Sequence, residues 1–129
     1  MSSAARHSVL TAANAAYPFE CCGVVLGGRD IDSAVELPNV ADDPAQHFVV
    51  CPEGLVQALV DARRRGLDVI GFFHSHPHGP PMPSDEDIAK GGPWAGYYQL
   101  IVSHDANGWL LKLFQTRSEG WVERGVEMS

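Results

Sequence analysis

An α/β fold, a mixed β-sheet with helices packed on it, is what this 129-residue sequence predicts, and three observations carry it. Short apolar runs of strand length recur along the chain. Alanine-rich or i, i+4-patterned stretches of helix length separate them. Glycine and proline punctuate the joins, giving the order helix, strands, helix, strand, helix, strands.

The elements follow in order. Ser8 to Ala16 is alanine-rich and ends at Tyr17-Pro18, which predicts a helix closed before the proline. Cys22 to Leu26, the turn Gly27-Gly28-Arg29-Asp30 and Ser33 to Leu37 predict a hairpin. After a loop from Asn39 to Pro44, Gln46 to Val50 reads as a strand. Pro52 suits the first turn of a helix in which Leu55, Val56, Leu59 and Val60 form an apolar stripe toward the core. Arg63, Arg64 and Arg65 fall in its last turn, where positive charge complements the helix dipole, and Gly66 fits a C-terminal cap. Asp68 to His76 predicts a strand, Ser84 to Lys90 a short helix, Tyr97 to Ser103 and Gly108 to Thr116 two further strands, and Gly120 to Arg124 an edge strand.

Composition narrows the function. With 45% hydrophobic and 19% charged residues the chain reads as one globular domain spanning 1–129. No apolar run approaches the ~18 residues of a membrane span, and the N-terminus lacks a signal-peptide core, so a cytoplasmic protein is expected. Three cysteines, two of them adjacent, do not make a secreted disulfide framework and are expected to be reduced and buried. A formal charge of -7 disfavours nucleic acid or an anionic membrane as partner.

The chemistry concentrates in HSHPHGPPMPSDED, residues 74 to 87. Alternation along a strand aims His74 and His76 the same way, with Cα atoms roughly 6.5 to 7 Å apart, within reach of one metal ion. Asp87 is the candidate third ligand. Ser84 to Asp87 also has the form of a capped helix start, the favoured reading in isolation. Beside the paired histidines the ligand reading prevails, because Pro77, Pro80, Pro81 and Pro83 stiffen the connection. His78 departs from the alternation and ranks lower. Two imidazoles and a carboxylate suit zinc, with iron, nickel and cobalt open, and three protein ligands leave a place for water. Such chemistry needs a base, for which Glu20, Glu53, Asp85 and Glu86 compete on spacing alone.

The pattern His74-Ser75-His76-Pro77, six residues, Ser84, two residues and Asp87, preceded by Glu20 in PFECCGVVLGG, resembles the JAMM metalloproteases, the active MPN-domain family. The resemblance covers most of the chain, including Gly71 before the histidines, Asn39 and the YYQLIVSH strand, with no departure at a catalytic position. It implies that His74, His76 and Asp87 bind one zinc ion, that Glu20 handles the proton of the attacking water, and that Ser84 stabilises the oxyanion, its capping role being secondary. It also implies a three-layer α/β/α fold around a curved mixed sheet, similar to that of the cytidine deaminases.

Bacterial members of the family often resemble processing enzymes for ubiquitin-like sulfur carriers ending in Gly-Gly. The resemblance therefore implies a peptidase or isopeptidase that cleaves after that Gly-Gly, releasing an amino acid, an extension or a fused or conjugated protein. An extended tail adding as a strand beside the catalytic strand is the expected binding mode. A homodimer is open. The competing readings are a non-catalytic MPN scaffold, a DNA-associated protein similar to the RadC type, and a phage-tail or cell-wall peptidase.

Overall fold

The computed structural model describes all 129 residues. Helix α1 spans Ser3–Ala16. It begins before the predicted start because the Ser2 hydroxyl accepts from the Ala5 N–H, satisfying an amide that the helix itself leaves free. Strands β1 (Cys22–Gly27) and β2 (Ile31–Leu37) form the expected hairpin. Helix α2 runs Pro52–Arg64 and closes at Gly66, whose φ of 72° is the left-handed conformation that glycine adopts without strain. Strand β3 is Asp68–His76 and helix α3 is Asp85–Gly91, followed by one 3₁₀ turn at Gly92–Trp94. Strands β4 (Tyr98–Asp105), β5 (Gly108–Arg117) and β6 (Gly120–Arg124) complete the chain's regular structure. No helix is long and apolar enough to cross a membrane.

The six strands form one sheet in the order β2-β1-β3-β4-β5-β6. Only β3 and β4 run parallel, joined by the crossover that carries α3, so the sheet is mixed as predicted. On one face α1 packs Ala5, Val9, Ala12 and Ala13 against Val25, Phe73, Leu100 and Val102. On the other, Ala58 and Ala62 of α2 pack against Val24, Leu26, Val69 and Phe72. These are the layers of the α/β/α arrangement.

Three expectations need correction. Gln46 to Val50 is not a strand: a single bridge pairs Asn39 with Val50. The Asn39 side chain replaces a ladder partner there, since its Oδ1 accepts from the Ala41 and Val49 N–H groups and its amide donates to the His47 carbonyl. Of the stripe Leu55, Val56, Leu59, Val60, only Leu55 packs against the core. The alanine face lies against the sheet, and Val56, Leu59 and Val60 are exposed. Finally, β3 offers no edge to an added strand, because β1 pairs it through His74 and β4 through His76.

Candidate metal centre

The alternation of β3 divides its last residues between the two faces of the sheet. His74 and His76 point to the α2 side, and Ser75 points to the α1 side. Helix α3 brings Asp87 over the histidines from its first turn. There the Ser84 hydroxyl accepts from the Asp87 N–H at 3.1 Å, and the Asp87 carboxylate accepts from the Ser84 N–H at 2.9 Å. Ser84 thus caps α3 fully, contrary to the secondary role given above. The cap uses the hydroxyl only as acceptor, so its proton is left to donate.

Three ligand atoms converge: His74 Nε2 and His76 Nε2 lie 3.0 Å apart, and Asp87 Oδ2 is 3.2 and 3.1 Å from them. Tetrahedral zinc with bonds of 2.0–2.1 Å separates its ligand atoms by about 3.3 Å, so the spacing and the donor set fit such an ion. His76 Nδ1 sits 2.9 Å from the Pro80 carbonyl and donates to it, which leaves Nε2 with its lone pair toward Asp87 and His74. His74 Nδ1 is buried without a partner. The His74 ring is oriented instead by stacking on Phe48, with centroids 4.3 Å apart and planes 20° from parallel. His78 does not join the group and packs on the Tyr17 ring at 5.6 Å.

Burial presses His74 toward its neutral form. It presses His76 the same way, but the Asp87 carboxylate and the Pro80 carbonyl outweigh it and raise that residue's pKa. Burial likewise opposes charge on Asp87, yet the two histidines hold its carboxyl far below the usual carboxylate range. A dominant anion facing two imidazoles is the electrostatic arrangement a divalent cation requires.

Glu20 lines a cavity of ≈ 340 Å³ together with His76, Ser84 and Asp87, walled by the segments 45–48 and 76–80. Its backbone is fastened at both ends: the Glu20 N–H donates to the Pro44 carbonyl at 2.8 Å, and the Asn39 amide donates to the Glu20 carbonyl at 3.0 Å. Burial pushes its carboxyl up to about 7, with His76 and His47 opposing and Asp87 and Glu86 adding to the rise. Of the competing acids, Glu86 lines the same cavity but has its carboxylate committed to other partners, and Glu53 and Asp85 lie outside it. Glu86 is paired with His47 at 2.8 Å and Lys90 at 2.9 Å, and Glu53 accepts from the Cys51 thiol at the start of α2. Asp85 occupies the first turn of α3 and is absent from the cavity lining.

Residues that the sequence did not single out hold this cleft together. Lys90 donates to the Phe48 carbonyl at 2.6 Å and lies 4.6 Å from the centre of its ring, tying segment 45–48 to α3. Ser75, the middle residue between the histidines, fastens Cys21 and with it Glu20 to β3. Its signal was a small polar residue set between the two histidines. Burial pushes the Cys21 and Cys22 thiols to about 11 and about 12, so both are neutral thiols at physiological pH rather than ligands or nucleophiles.

Comparisons with known proteins show the family and the fold. The family of prokaryotic homologues of the JAB domain matches residues 2–115. A desampylase of Haloferax volcanii is 38% identical over 91 residues, covering 68% of this chain and 65% of the relative. A probable TtuB-protein conjugate cleaving protease of Thermus thermophilus is 34% identical over 94 residues, covering 73% and 63%. The chain thus spans just under two thirds of the length of these curated relatives. A solution structure from Desulfitobacterium hafniense superposes with a TM-score of 0.87 at 28% identity, covering 100% of this chain and 93% of that one.

Proposed function

We propose, on the premise that this chain belongs to the family of prokaryotic JAB-domain homologues, that it is a zinc-dependent peptidase or isopeptidase. It cleaves the bond after the C-terminal Gly-Gly of a ubiquitin-like sulfur carrier, releasing an amino acid, an extension or a conjugated protein. The single observation that carries the reading is the convergence of His74 Nε2, His76 Nε2 and Asp87 Oδ2 within 3.2 Å of one another beside the cavity that Glu20 lines. The names of the desampylase and the TtuB-conjugate protease support the substrate class.

His74, His76 and Asp87 hold one zinc ion in this reading. When bound, zinc polarises the scissile carbonyl and acidifies water. Glu20, whose carboxyl burial raises to about 7, takes the proton of the attacking water and delivers it to the leaving amine. Ser84 donates its hydroxyl proton to the developing oxyanion while its lone pair stays on the Asp87 N–H. An extended Gly-Gly tail, lacking side chains, lies between the walls formed by segments 45–48 and 76–80, since β3 has no open edge. Residues 1–129 act as one peptidase domain in the reducing cytoplasm, where the free thiols of Cys21, Cys22 and Cys51 persist, without nucleic acid or membrane as partner.

The test is incubation with carrier proteins extended beyond Gly-Gly, with and without chelator, read by intact mass. Loss of the extension that disappears with chelator, with His76→Ala and with Glu20→Gln is expected. Cleavage by either variant at the wild-type rate overturns the mechanism. A protein that binds no transition metal points to a non-catalytic scaffold instead.

A further inference from the structure

Beneath α3, on the α2 side of the sheet, a second cavity of ≈ 190 Å³ adjoins the cleft around Glu20. Its walls are the rings of Phe48, Phe72, Trp94 and Trp121 and the side chain of Leu55. Trp121 comes from β6 and lies directly on Gly91, where a Cβ would be 2.7 Å from the indole Nε1, so α3 roofs the space closely. Phe48 and Asp87 line both this cavity and the cleft. Because the Phe48 ring also stacks on His74, the cavity begins one side chain away from the histidine pair.

The chemistry of the lining selects an occupant. Gln99 borders the cavity from β4; it is 5% exposed, and its carboxamide forms no hydrogen bond within the chain. A buried amide in that state is costly, and an occupant that bonds to it removes the cost. No charge is free to balance an ionised occupant. Lys90 is committed to Glu86 and the Phe48 carbonyl, and Asp87 to the Ser84 N–H beside the histidines. The occupant is therefore neutral, apolar over most of its surface and tipped by a hydrogen-bonding group. The volume falls below the roughly 300–1,000 Å³ of sites that enclose a whole small molecule, and it suits one large side chain. Ring-lined walls favour an aromatic one. Tyrosine is the aromatic side chain whose hydroxyl both donates and accepts, as the Gln99 carboxamide does. The cleft supplies the source, since an extended tail advances about 3.3 Å per residue. With Gly-Gly at the scissile bond, the residue before them is the one that reaches past Phe48.

We propose, resting on the peptidase reading above, that this cavity is a specificity subsite. It receives a tyrosine side chain standing immediately before the Gly-Gly of the substrate tail and bonds its hydroxyl to Gln99. The first probe is para-cresol, the tyrosine side chain by itself, titrated into the purified full chain, with toluene as the analogue lacking the hydroxyl. The side-chain amide NMR signals of Gln99 and the indole signals of Trp94 and Trp121 report the binding. Saturable binding of cresol, about tenfold tighter than toluene, is expected. Gln99→Met keeps the length but removes the amide, and should bring the two affinities together. That variant replaces an unbonded polar group by an apolar one, so its fold is preserved. A peptide ending in Tyr-Gly-Gly should displace cresol about tenfold more readily than one ending in Ala-Gly-Gly. Equal affinity for cresol and toluene, or a preference that survives Gln99→Met, overturns the subsite. Cresol that the Tyr-Gly-Gly peptide fails to displace assigns the cavity to a free ligand and overturns the tail assignment. Each of these measurements is of binding, so an absence of carrier cleavage beside them strikes the peptidase chemistry and leaves the subsite standing.

Discussion

Ser75 and Cys21 hold each other twice: the Cys21 N–H donates to Ser75 Oγ at 2.8 Å, and the Ser75 N–H donates to the Cys21 carbonyl at 3.0 Å. Ser75 lies between the two histidines on β3, and Cys21 follows Glu20 directly. The serine therefore sets the distance between the histidine strand and the acid across the cleft.

Removing that hydroxyl leaves the buried Cys21 N–H without an acceptor, at a cost of about 1–3 kcal/mol. In Ser75→Ala, zinc content should stay near one per chain, because His74, His76 and Asp87 are untouched. The rate should fall through kcat, because Glu20 is no longer held in place. Metal analysis beside steady-state kinetics checks this. Loss of zinc together with activity would mean that Ser75 supports the strand rather than the acid.

Asp87 has two tasks that separate by substitution. Its carboxylate caps α3 through the Ser84 N–H and faces both histidines. Asp87→Asn keeps a side-chain oxygen for the cap but removes the charge, so zinc occupancy should collapse while the cap itself is kept. Asp87→Ala should lose zinc as well and be about 1 kcal/mol less stable than Asp87→Asn, because it also loses the cap. Metal content and urea midpoints of the two variants, both measured without zinc, distinguish the tasks.

The sequence made the candidate centre legible because its three residues are local: strand alternation pairs His74 with His76, and the proline-stiffened loop returns Asp87 within thirteen positions. Glu20 was harder, since chain spacing does not reveal that Asn39 and Pro44 would pin it beside β3. The role of Ser75 was hidden for the same reason, its partner being 54 residues away. The α2 stripe misled because periodicity locates an apolar face without saying which face packs. Small side chains at Ala58 and Ala62 allow the closer approach to Val24 and Leu26, and Val56, Leu59 and Val60 are turned outward while Leu55 stays on the core. Gln46 to Val50 failed as a strand because a side chain, Asn39, satisfies its backbone.

Gly71 is a close-approach position three residues before His74. A Cβ there would strike the backbone carbonyl of Tyr98, its partner on β4. A carbonyl in a parallel ladder cannot move aside as a flexible side chain would. Gly71→Ala should therefore cost about 3 kcal/mol by overpacking, read as a lowered urea midpoint at unchanged m-value. Gly28→Ala has open space around its Cβ and serves as the control, with a shift of a few tenths of a kcal/mol at most.

Glu20 predicts a pH dependence of stability that can be read without metal or substrate. Burial raises its carboxyl from 4.5 to about 7, while His76, His47, Asp87 and Glu86 are the charged groups that face it. The folded protein thus binds this proton more tightly than the unfolded chain does. Between pH 4.5 and about 7 the native state holds more protons at this site, so its contribution to stability declines as pH rises through that window. Glu20→Gln removes the titration. The metal-free variant should therefore gain on the wild type in urea midpoint as pH rises from 5 to 8, and the gain should level off above about 7. In the zinc-loaded enzyme the same sign gives kcat/KM an acid limb, because the base works only when ionised, and the cation moves that limb below 7. A stability difference between the two metal-free proteins that stays constant from pH 5 to 8 would show that Glu20 is solvated like a surface acid, and would remove the desolvation that makes it a base near neutrality.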